Sequence, residues 1–264
     1  MAATIRVRRE GKRRMPRKDV GFWSAEAKGY TNTVLGELEH EHRQRWENVL
    51  RSYMPAGDTL TILDAGCGPG YFSILLSQMG HTVTAIDFSE AMLKEAASNT
   101  ARFGIPERVT ILRMDAQAPV FPEESFDVIV SRNLTWMFAD LKTVYDNWIR
   151  LLKPGGRLLV FDCNWYLYCF DSELFRQDEE DLQNALNMGY PYGDISRVYT
   201  PARPPEAAAF PLADKLRPEW DRRLLEDLSV SRVSVADNLP QDLRYGYYAV
   251  RYAHTPYFAV CAEK

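Results

Sequence analysis

The chain has little cysteine and little histidine, with four residues of each among 264. The cysteines are Cys67, Cys163, Cys169 and Cys261, which lie far apart and show no C-x-x-C spacing. This pattern favours free, buried thiols over a disulfide framework or a cysteine metal site. The sequence therefore predicts no metal centre.

Long hydrophobic runs are also missing. No stretch approaches the roughly 20 apolar residues that a membrane-crossing helix requires, and the opening residues are too polar for a secretory signal. Apolar residues make up 46% of the chain, which is ordinary for a globular protein. We therefore expect a cytoplasmic protein with no membrane partner.

A large excess of one charge is missing as well, because the formal net charge is only −4. The N-terminal tail, residues 1–20, is the exception, since its residues 1–18 carry eight arginines and lysines against one acid, Glu10. An RNA-binding arm is one interpretation. No aromatic residues alternate with the basic ones, however, which favours a solvated tail. We expect one domain over residues 21–264 and no nucleic-acid partner.

Glycine, by contrast, is concentrated in one turn. Residues 59–63 form a short apolar run typical of a buried strand, and the turn Gly66-Cys67-Gly68-Pro69-Gly70 follows. An apolar, helix-like stretch then runs to Gly80. This order of strand, glycine turn and helix predicts a nucleotide-binding α/β unit, in which bare backbone can approach a ligand.

Two details of the turn indicate which nucleotide it binds. A dinucleotide fingerprint requires a third glycine at position 71, where this chain has Tyr71, and a phosphate loop requires a lysine that is missing here. Asp64 precedes the turn. Its carboxylate would repel a pyrophosphate but suits a ligand that carries an amino group.

The string Leu63-Asp-Ala-Gly-Cys-Gly-Pro-Gly70 resembles the first motif of the class I S-adenosylmethionine-dependent methyltransferases, of the small-molecule type. Asp87, the pair Asp115-Ala116 and the turn Leu152-Lys-Pro-Gly-Gly156 follow in that family's order. The resemblance implies an α/β, Rossmann-like fold with seven mainly parallel strands and helices on both faces. It also implies S-adenosyl-L-methionine as cofactor, S-adenosyl-L-homocysteine as product, and methyl transfer as the reaction.

The cofactor site is expected at the carboxyl ends of the strands. Asp87 lies about 20 residues past the glycines, where a carboxylate accepts the ribose hydroxyls. In the family, an aspartate at the position of Asp115 binds adenine. The residues expected to contact the cofactor are Trp23, Tyr30, Asp64, Ala65, Gly66, Cys67, Gly68, Asp87, Phe88, Met92, Asp115, Ala116, Ser131, Arg132 and Asn133.

The methyl acceptor is expected to lie under an aromatic lid insertion at about 165–228, because long inserts at a catalytic edge often set specificity. The residues expected to contact it are Trp136, Asn164, Trp165, Tyr166 and Tyr192. A general base is not required for every acceptor, and Asp162, His254 and Tyr166 are the three candidates.

Several alternatives remain open at this stage. The acceptor atom is nitrogen, oxygen or sulfur. An RNA methyltransferase that uses the basic tail, or a regulator that binds S-adenosylmethionine without catalysis, are the alternative functions. A homodimer is among the assemblies that the sequence leaves open.

Overall fold

The structure is a computed structural model that describes residues 20–39, 41–105, 107–190 and 210–264. The basic tail and Tyr192 therefore lie outside the described residues. None of the described helices combines the length and the apolar character needed to cross a membrane. Within these same ranges, no group of three or more histidine, cysteine, aspartate or glutamate side chains could hold a metal ion.

Seven strands form one sheet in the order β3-β2-β1-β4-β5-β7-β6. Strands β1 to β5 pair in parallel, and β7 runs antiparallel to both β5 and β6. The predicted fold, a Rossmann-like and mainly parallel seven-stranded sheet with helices, is confirmed. The strands are β1 (Thr61–Ala65), β2 (Thr82–Asp87), β3 (Val109–Arg113), β4 (Phe126–Arg132), β5 (Leu152–Cys163), β6 (Arg232–Ala236) and β7 (Tyr257–Glu263).

Eight α-helices accompany the sheet in the described part of the chain. Ser89 begins one of them by accepting a hydrogen bond from the Met92 amide, and Asp140 begins another by accepting from the Thr143 amide. The helices are α1 (Val20–Glu39), α2 (His42–Tyr53), α3 (Tyr71–Gln78), α4 (Glu90–Arg102), α5 (Leu141–Leu151), α6 (Ser172–Asn187), α7 (Glu219–Glu226) and α8 (Tyr247–Arg251).

The core is built on the central strands, which are apolar on both faces. Ile62 and Leu63 of β1 and Ile129 of β4 are fully buried, as expected for parallel strands covered by helices on each side. Trp46 of α2 packs edge-on against Phe161 of β5 at 5.4 Å between ring centroids, and its indole donates to the Leu243 carbonyl. Helix α2 is thereby fixed to both the sheet and the C-terminal region.

Strand β5 is longer than the sequence predicts. The turn Leu152–Gly156 was expected to precede a strand of residues 157–161, but the strand begins at Leu152. The Gly155 amide donates to the Lys264 carbonyl, and the Lys264 amide donates to the Gly156 carbonyl. These backbone bonds tie the two glycines to the residue that follows β7, although Gly155 keeps the positive φ of a turn, and the local pattern does not reveal this pairing.

The described parts of the expected lid insertion lie in two different places. Helix α6 packs against α8, whereas α7 packs against β6 and β7 at the edge of the sheet. Helix α7 therefore belongs to the layers around the sheet rather than to a cover over the site.

Candidate cofactor-binding cavity

A cavity of about 740 Å³ opens at the carboxyl ends of β1, β2 and β4. Each of these strands delivers one charged side chain to the cavity wall: Asp64 from β1, Asp87 from β2 and Arg132 from β4. Helix α1 forms the opposite wall. The expected contact residues that line this cavity are Trp23, Tyr30, Asp64, Gly66, Cys67, Gly68, Asp87, Phe88, Met92, Arg132, Asn133, Trp136 and Trp165.

The glycine turn needs glycine at Gly66 for two reasons. Its φ of +74° lies in the left-handed region, and a Cβ placed there would stand 2.5 Å from a methyl carbon of Leu134. The amides of Gly66 and Cys67 both donate to the Ile86 carbonyl at 2.9 Å, which ties the turn to β2. The turn therefore presents bare backbone at a fixed position along the cavity.

Asp87 sits where β2 ends and is only 7% exposed. Its carboxylate accepts the Gly68 amide at 3.0 Å and the Ser89 amide at 2.8 Å. Burial raises the pKa of this carboxyl, and the backbone donors oppose that shift. The bonds to Gly68 and Ser89 hold Asp87 between the glycine turn and the start of α4, facing the cavity.

Asp64 is the second carboxyl of the wall. It accepts a hydrogen bond from the Ser73 hydroxyl at 2.6 Å. Burial raises its pKa from the usual range to about 7, and the Ser73 hydrogen bonds lower that value only in part. At neutral pH the charge of this carboxyl therefore depends on what occupies the cavity.

Among the described residues, Arg132 is the only arginine or lysine that lines the cavity. Its guanidinium donates to Glu37 of α1 at 2.6 Å and lies 4.3 Å from the ring centre of Tyr71. Burial lowers the pKa of Arg132, but Glu37 and the surrounding tyrosines together outweigh burial and raise that pKa well above its usual value. The arginine is therefore charged at every working pH and holds α1 against the sheet edge.

Three buried polar atoms of this wall lack a hydrogen-bond partner among the described residues. They are Nη1 of Arg132, Oδ1 of Asn133 and the hydroxyl of Tyr71. Buried polar atoms are nearly always paired, and all three of these atoms belong to residues that line the cavity. The set offers donors to an anion and an acceptor to an ammonium group.

Four of the expected cofactor residues do not line the cavity. Ala65 and Ser131 are buried between strands, where the Ser131 hydroxyl donates to the Ala65 carbonyl at 3.0 Å. Asp115 is exposed just past β3 and accepts the Gln117 amide, and the carbonyl of Ala116 accepts the Trp148 indole at 2.7 Å. The structure thus gives Ser131 and Ala116 clear packing roles.

Two of the expected acceptor residues also lie away from the main cavity. Asn164 and Tyr166 border a separate void of about 10 Å³, together with Arg217. Tyr166 stacks on Phe210 with ring centres 4.7 Å apart, and the Asn164 amide donates to the Arg217 carbonyl. The expected contact residue Tyr192 lies outside the described residues.

None of the three candidate bases lines the main cavity. His254 pairs with Asp181 at 2.7 Å, and Tyr166 is held in the stack just described. Asp162 is fully buried, and both of its oxygens accept hydrogen bonds from the turns that follow β4 and β5. These positions fit structural roles better than proton transfer from an acceptor.

Part of the wall was not singled out as contact residues by the sequence analysis. Tyr245, Tyr247 and Tyr248 contribute an aromatic wall from the start of α8, and Tyr190 contributes from the end of α6. The dense tyrosines at 245–252 were the available signal for this wall. On α1, the residues Trp23, Glu26, Tyr30 and Thr33 line the cavity at helical spacing, so the periodicity was the signal there.

Comparisons with known proteins agree with this architecture. Residues 63–160 match the family model described as a methyltransferase domain. A malonyl-[acyl-carrier protein] O-methyltransferase from Erwinia pyrifoliae is 38% identical over 117 residues, covering 44% of this chain and 42% of that protein. A ubiquinone biosynthesis O-methyltransferase from Caulobacter vibrioides is 34% identical over 110 residues, covering 40% of this chain and 41% of that protein. The chain therefore spans less than half the length of these relatives.

A solved structure extends the likeness to the whole fold. A crystal structure of a SAM-dependent methyltransferase from Aquifex aeolicus superposes with a TM-score of 0.56 at 21% identity, covering 91% of this chain and 97% of that one. The fold is thus the Rossmann-like one that the sequence predicts, and it is shared with this solved methyltransferase. Within it, residues 63–160 are the part that matches the methyltransferase-domain family.

Proposed function

We propose that the protein binds S-adenosyl-L-methionine in this cavity and transfers its methyl group to a small-molecule acceptor. One observation carries the proposal. The glycine turn and Asp87 share a cavity wall with Arg132 and Asn133, whose guanidinium and amide groups complement the carboxylate and ammonium groups of an amino acid. A ligand with a nucleoside at one end and an amino acid at the other would match both parts of this wall.

The nucleoside end is assigned to β2 and β3. Asp87 accepts the ribose hydroxyls, since its carboxylate faces the cavity where β2 ends. Phe88 and Met92 flank the adenine on the cavity side. We assign Asp115 to the exocyclic amine of adenine, because it follows the adjacent strand and its Oδ2 is not engaged by the Gln117 amide.

The amino acid end is assigned to β1 and β4. The carboxylate of the ligand takes the free Nη1 of Arg132, and the ammonium group takes Oδ1 of Asn133 and the carboxyl of Asp64. Charge-assisted bonds of this kind are roughly twice as strong as neutral ones. Tyr30 and Trp23 of α1 cover the bound cofactor, as the resemblance implies.

The reaction is proposed as direct, in-line displacement. When bound, S-adenosylmethionine supplies a methyl group on a positively charged sulfur, so the acceptor attacks carbon and the sulfur becomes neutral. The protein's task is alignment and exclusion of water rather than stabilisation of an oxyanion. No base is assigned, which suits a neutral amine, a thiolate or a carboxylate.

The acceptor is proposed to be a small molecule with an apolar or aromatic part. Trp136, Trp165 and Tyr248 line the cavity beyond the cofactor end, and they offer flat apolar faces. The two relatives named above act, by their names, on a carrier-bound malonyl group and in ubiquinone biosynthesis. The acceptor atom remains part of the proposal, with nitrogen, oxygen and sulfur all to be tested.

Two measurements test this proposal. Calorimetric titration should give one S-adenosylhomocysteine per chain and no heat of binding with NAD, and the reverse pattern would indicate a nicotinamide enzyme. Transfer of radiolabelled methyl should then be scored on phenols, aromatic amines, aryl thiols, aryl carboxylic acids and an RNA oligonucleotide. Binding without transfer to any acceptor would favour the regulator.

The RNA alternative has its own control. A chain that lacks residues 1–18 should bind S-adenosylhomocysteine and methylate small acceptors as the full chain does. Loss of transfer to RNA in that truncated chain, with transfer present in the full chain, would favour the RNA methyltransferase instead.

A further inference from the structure

Asp162 joins two turns at the carboxyl edge of the sheet. Its Oδ2 accepts the Thr135 hydroxyl at 2.7 Å and the Trp136 amide at 3.1 Å. Its Oδ1 accepts the Trp165 indole at 2.9 Å and the Cys163 amide at 2.9 Å. Three donors from the segments after β4 and β5, and the amide of the last residue of β5, thus converge on one fully buried carboxylate.

Two of these donors belong to residues of the cavity wall. Trp136 and Trp165 both line the main cavity, whereas Asp162 does not. The carboxylate fixes the backbone of Trp136 and the ring orientation of Trp165 at the same time. Because both donors bond the same carboxylate, loss of that carboxylate should affect both tryptophans.

A buried arginine completes the cluster from a third segment. Arg217 points Nη1 to Asp162 at 3.4 Å and donates from Nη2 to the Thr135 hydroxyl at 2.7 Å, and it pairs with Asp221 at 2.6 Å. Both Arg217 and its two carboxylate partners are almost completely buried. A buried carboxylate without a counter-charge would be strongly unfavourable, and Arg217 supplies that counter-charge to Asp162.

We infer that Asp162 is a positioning residue that fixes Trp136 and Trp165 as the acceptor-facing wall of the cavity. Only the assignment of this wall to the methyl acceptor rests on the proposed function. Both carboxylate oxygens already hold donors, and neither faces the cavity, so taking a proton from an acceptor would break the cluster. Asp162 therefore shapes the acceptor site without touching the reacting atoms.

Fluorine NMR of the full chain labelled with 5-fluorotryptophan tests the positioning directly. The chain has six tryptophans, and Trp136→Phe and Trp165→Phe assign the two signals of interest. Asp162→Asn should move both signals and leave that of Trp23, which belongs to α1 and packs against Tyr30 of the same helix. Unmoved signals for Trp136 and Trp165 in a folded Asp162→Asn protein would overturn the inference.

Kinetics separate positioning from proton transfer. With the fastest acceptor of the panel above, Asp162→Asn should raise the acceptor KM about tenfold, equal to about 1.4 kcal/mol, and keep the wild-type pH profile. The Kd for S-adenosylhomocysteine should change by less than about threefold, well under that 1.4 kcal/mol. A kcat lower by about 10²-fold or more, with KM unchanged and the acidic limb of the pH profile lost, would make Asp162 a base instead.

Two further variants serve as a control and as a substitute for Asp162→Asn. Asp221→Asn removes the other carboxylate of Arg217 and should leave the signals of Trp136 and Trp165 in place. If Asp162→Asn does not fold, Thr135→Val removes one donor to Asp162 and should move the Trp136 signal but not that of Trp165. Should the wild type fail to bind S-adenosylhomocysteine, the proposed function falls, while the NMR result still decides the positioning role.

Discussion

At the scale of single residues, the aspartates Asp64 and Asp87 have different proposed roles because their hydrogen-bond partners differ. Asp87 is held by two backbone amides, whereas Asp64 has one strong donor, the Ser73 hydroxyl. Burial raises the pKa of both groups. In the proposed complex, Asp87 accepts hydrogen bonds from the neutral ribose hydroxyls. Asp64 loses its proton and becomes negatively charged when the ammonium group of the ligand binds beside it.

Asp87→Ala should weaken the binding of S-adenosylhomocysteine by about 1–3 kcal/mol, because hydrogen bonds to a charged group are lost. Calorimetry measures the affinity, and chemical denaturation reports any loss of fold. Asp140→Ala is the matched control, since it removes an exposed helix cap on α5 and should leave the affinity unchanged. An unaltered affinity in the Asp87 variant would remove the ribose assignment.

Asp64 should make cofactor binding depend on pH. Its raised pKa of about 7 means that the unliganded protein carries a largely neutral carboxyl in mildly acid solution. A bound ammonium favours the carboxylate, so binding releases a proton there, and affinity should rise with pH until it levels off above that pKa. Calorimetry in two buffers of different ionisation enthalpy measures the proton.

Asp64→Asn provides the control for this pH dependence. It removes the titrating group, so proton release and the rise in affinity should both disappear in the mildly acid range. A wild-type affinity that stays constant through that range would show that the ammonium group does not contact Asp64.

The sequence predicted the residues of the cofactor end better than those of the acceptor end. Gly66, Asp64 and Asp87 fall on a contiguous strand-turn-helix pattern, so local spacing was enough to place them. The tyrosine wall at 245–248 is brought to the cavity by α2, which bonds the Leu243 carbonyl, and by α6, which packs on α8, over long sequence distances. The role of Asp162 was equally hidden, because its partners come from three separate segments.

At the scale of elements, α1 is the helix on which the cavity depends most. It supplies one wall of the cavity but contacts no strand strongly, packing instead on α4, α2 and α3. The buried pair of Glu37 with Arg132 fastens it to the sheet edge. A second pair, Glu39 with Arg102, is half-exposed on the same helix.

These two ion pairs allow a matched prediction for α1. Glu37→Gln leaves a buried arginine without its counter-charge and should cost about 3–5 kcal/mol, seen as faster amide exchange along residues 20–39. Glu39→Gln breaks an exposed pair and should cost about 0–1 kcal/mol. Equal exchange rates in the two variants would show that the Glu37 pair does not fasten the helix.

The boundaries of elements show where local patterns are insufficient. Helices α4 and α5 begin at the side-chain caps Ser89 and Asp140, which are local signals. The sequence predicts too short a strand β5, because the first residues of this strand are held by pairing with the chain's last residue, Lys264. It also assigned α7 to the lid, although its apolar face packs on β6 and β7.

At the scale of the whole molecule, ligand binding should stabilise the fold. Strands β1, β2 and β4 and helix α1 all contribute to one cavity, so a ligand there links the sheet to the N-terminal helix. S-adenosylhomocysteine at 100 times its Kd should add about 2.7 kcal/mol. For a chain of this size, that corresponds to a rise in Tm of about 5–10 °C.

Differential scanning calorimetry measures this rise, and NAD at the same concentration is the control. NAD should leave the Tm unchanged, because the turn lacks the third glycine and Asp64 opposes a pyrophosphate. A larger rise with NAD than with S-adenosylhomocysteine would contradict the assignment of the cavity.

The most direct test of the central claim is a crystal structure of the protein with S-adenosylhomocysteine. We predict that the ribose hydroxyls lie within hydrogen-bond distance of Asp87 and that the ligand carboxylate lies within the same reach of Arg132 Nη1. The sulfur should face the wall formed by Trp136 and Trp165. A ligand bound outside this cavity, or one with its amino acid end turned away from Arg132, would contradict the account.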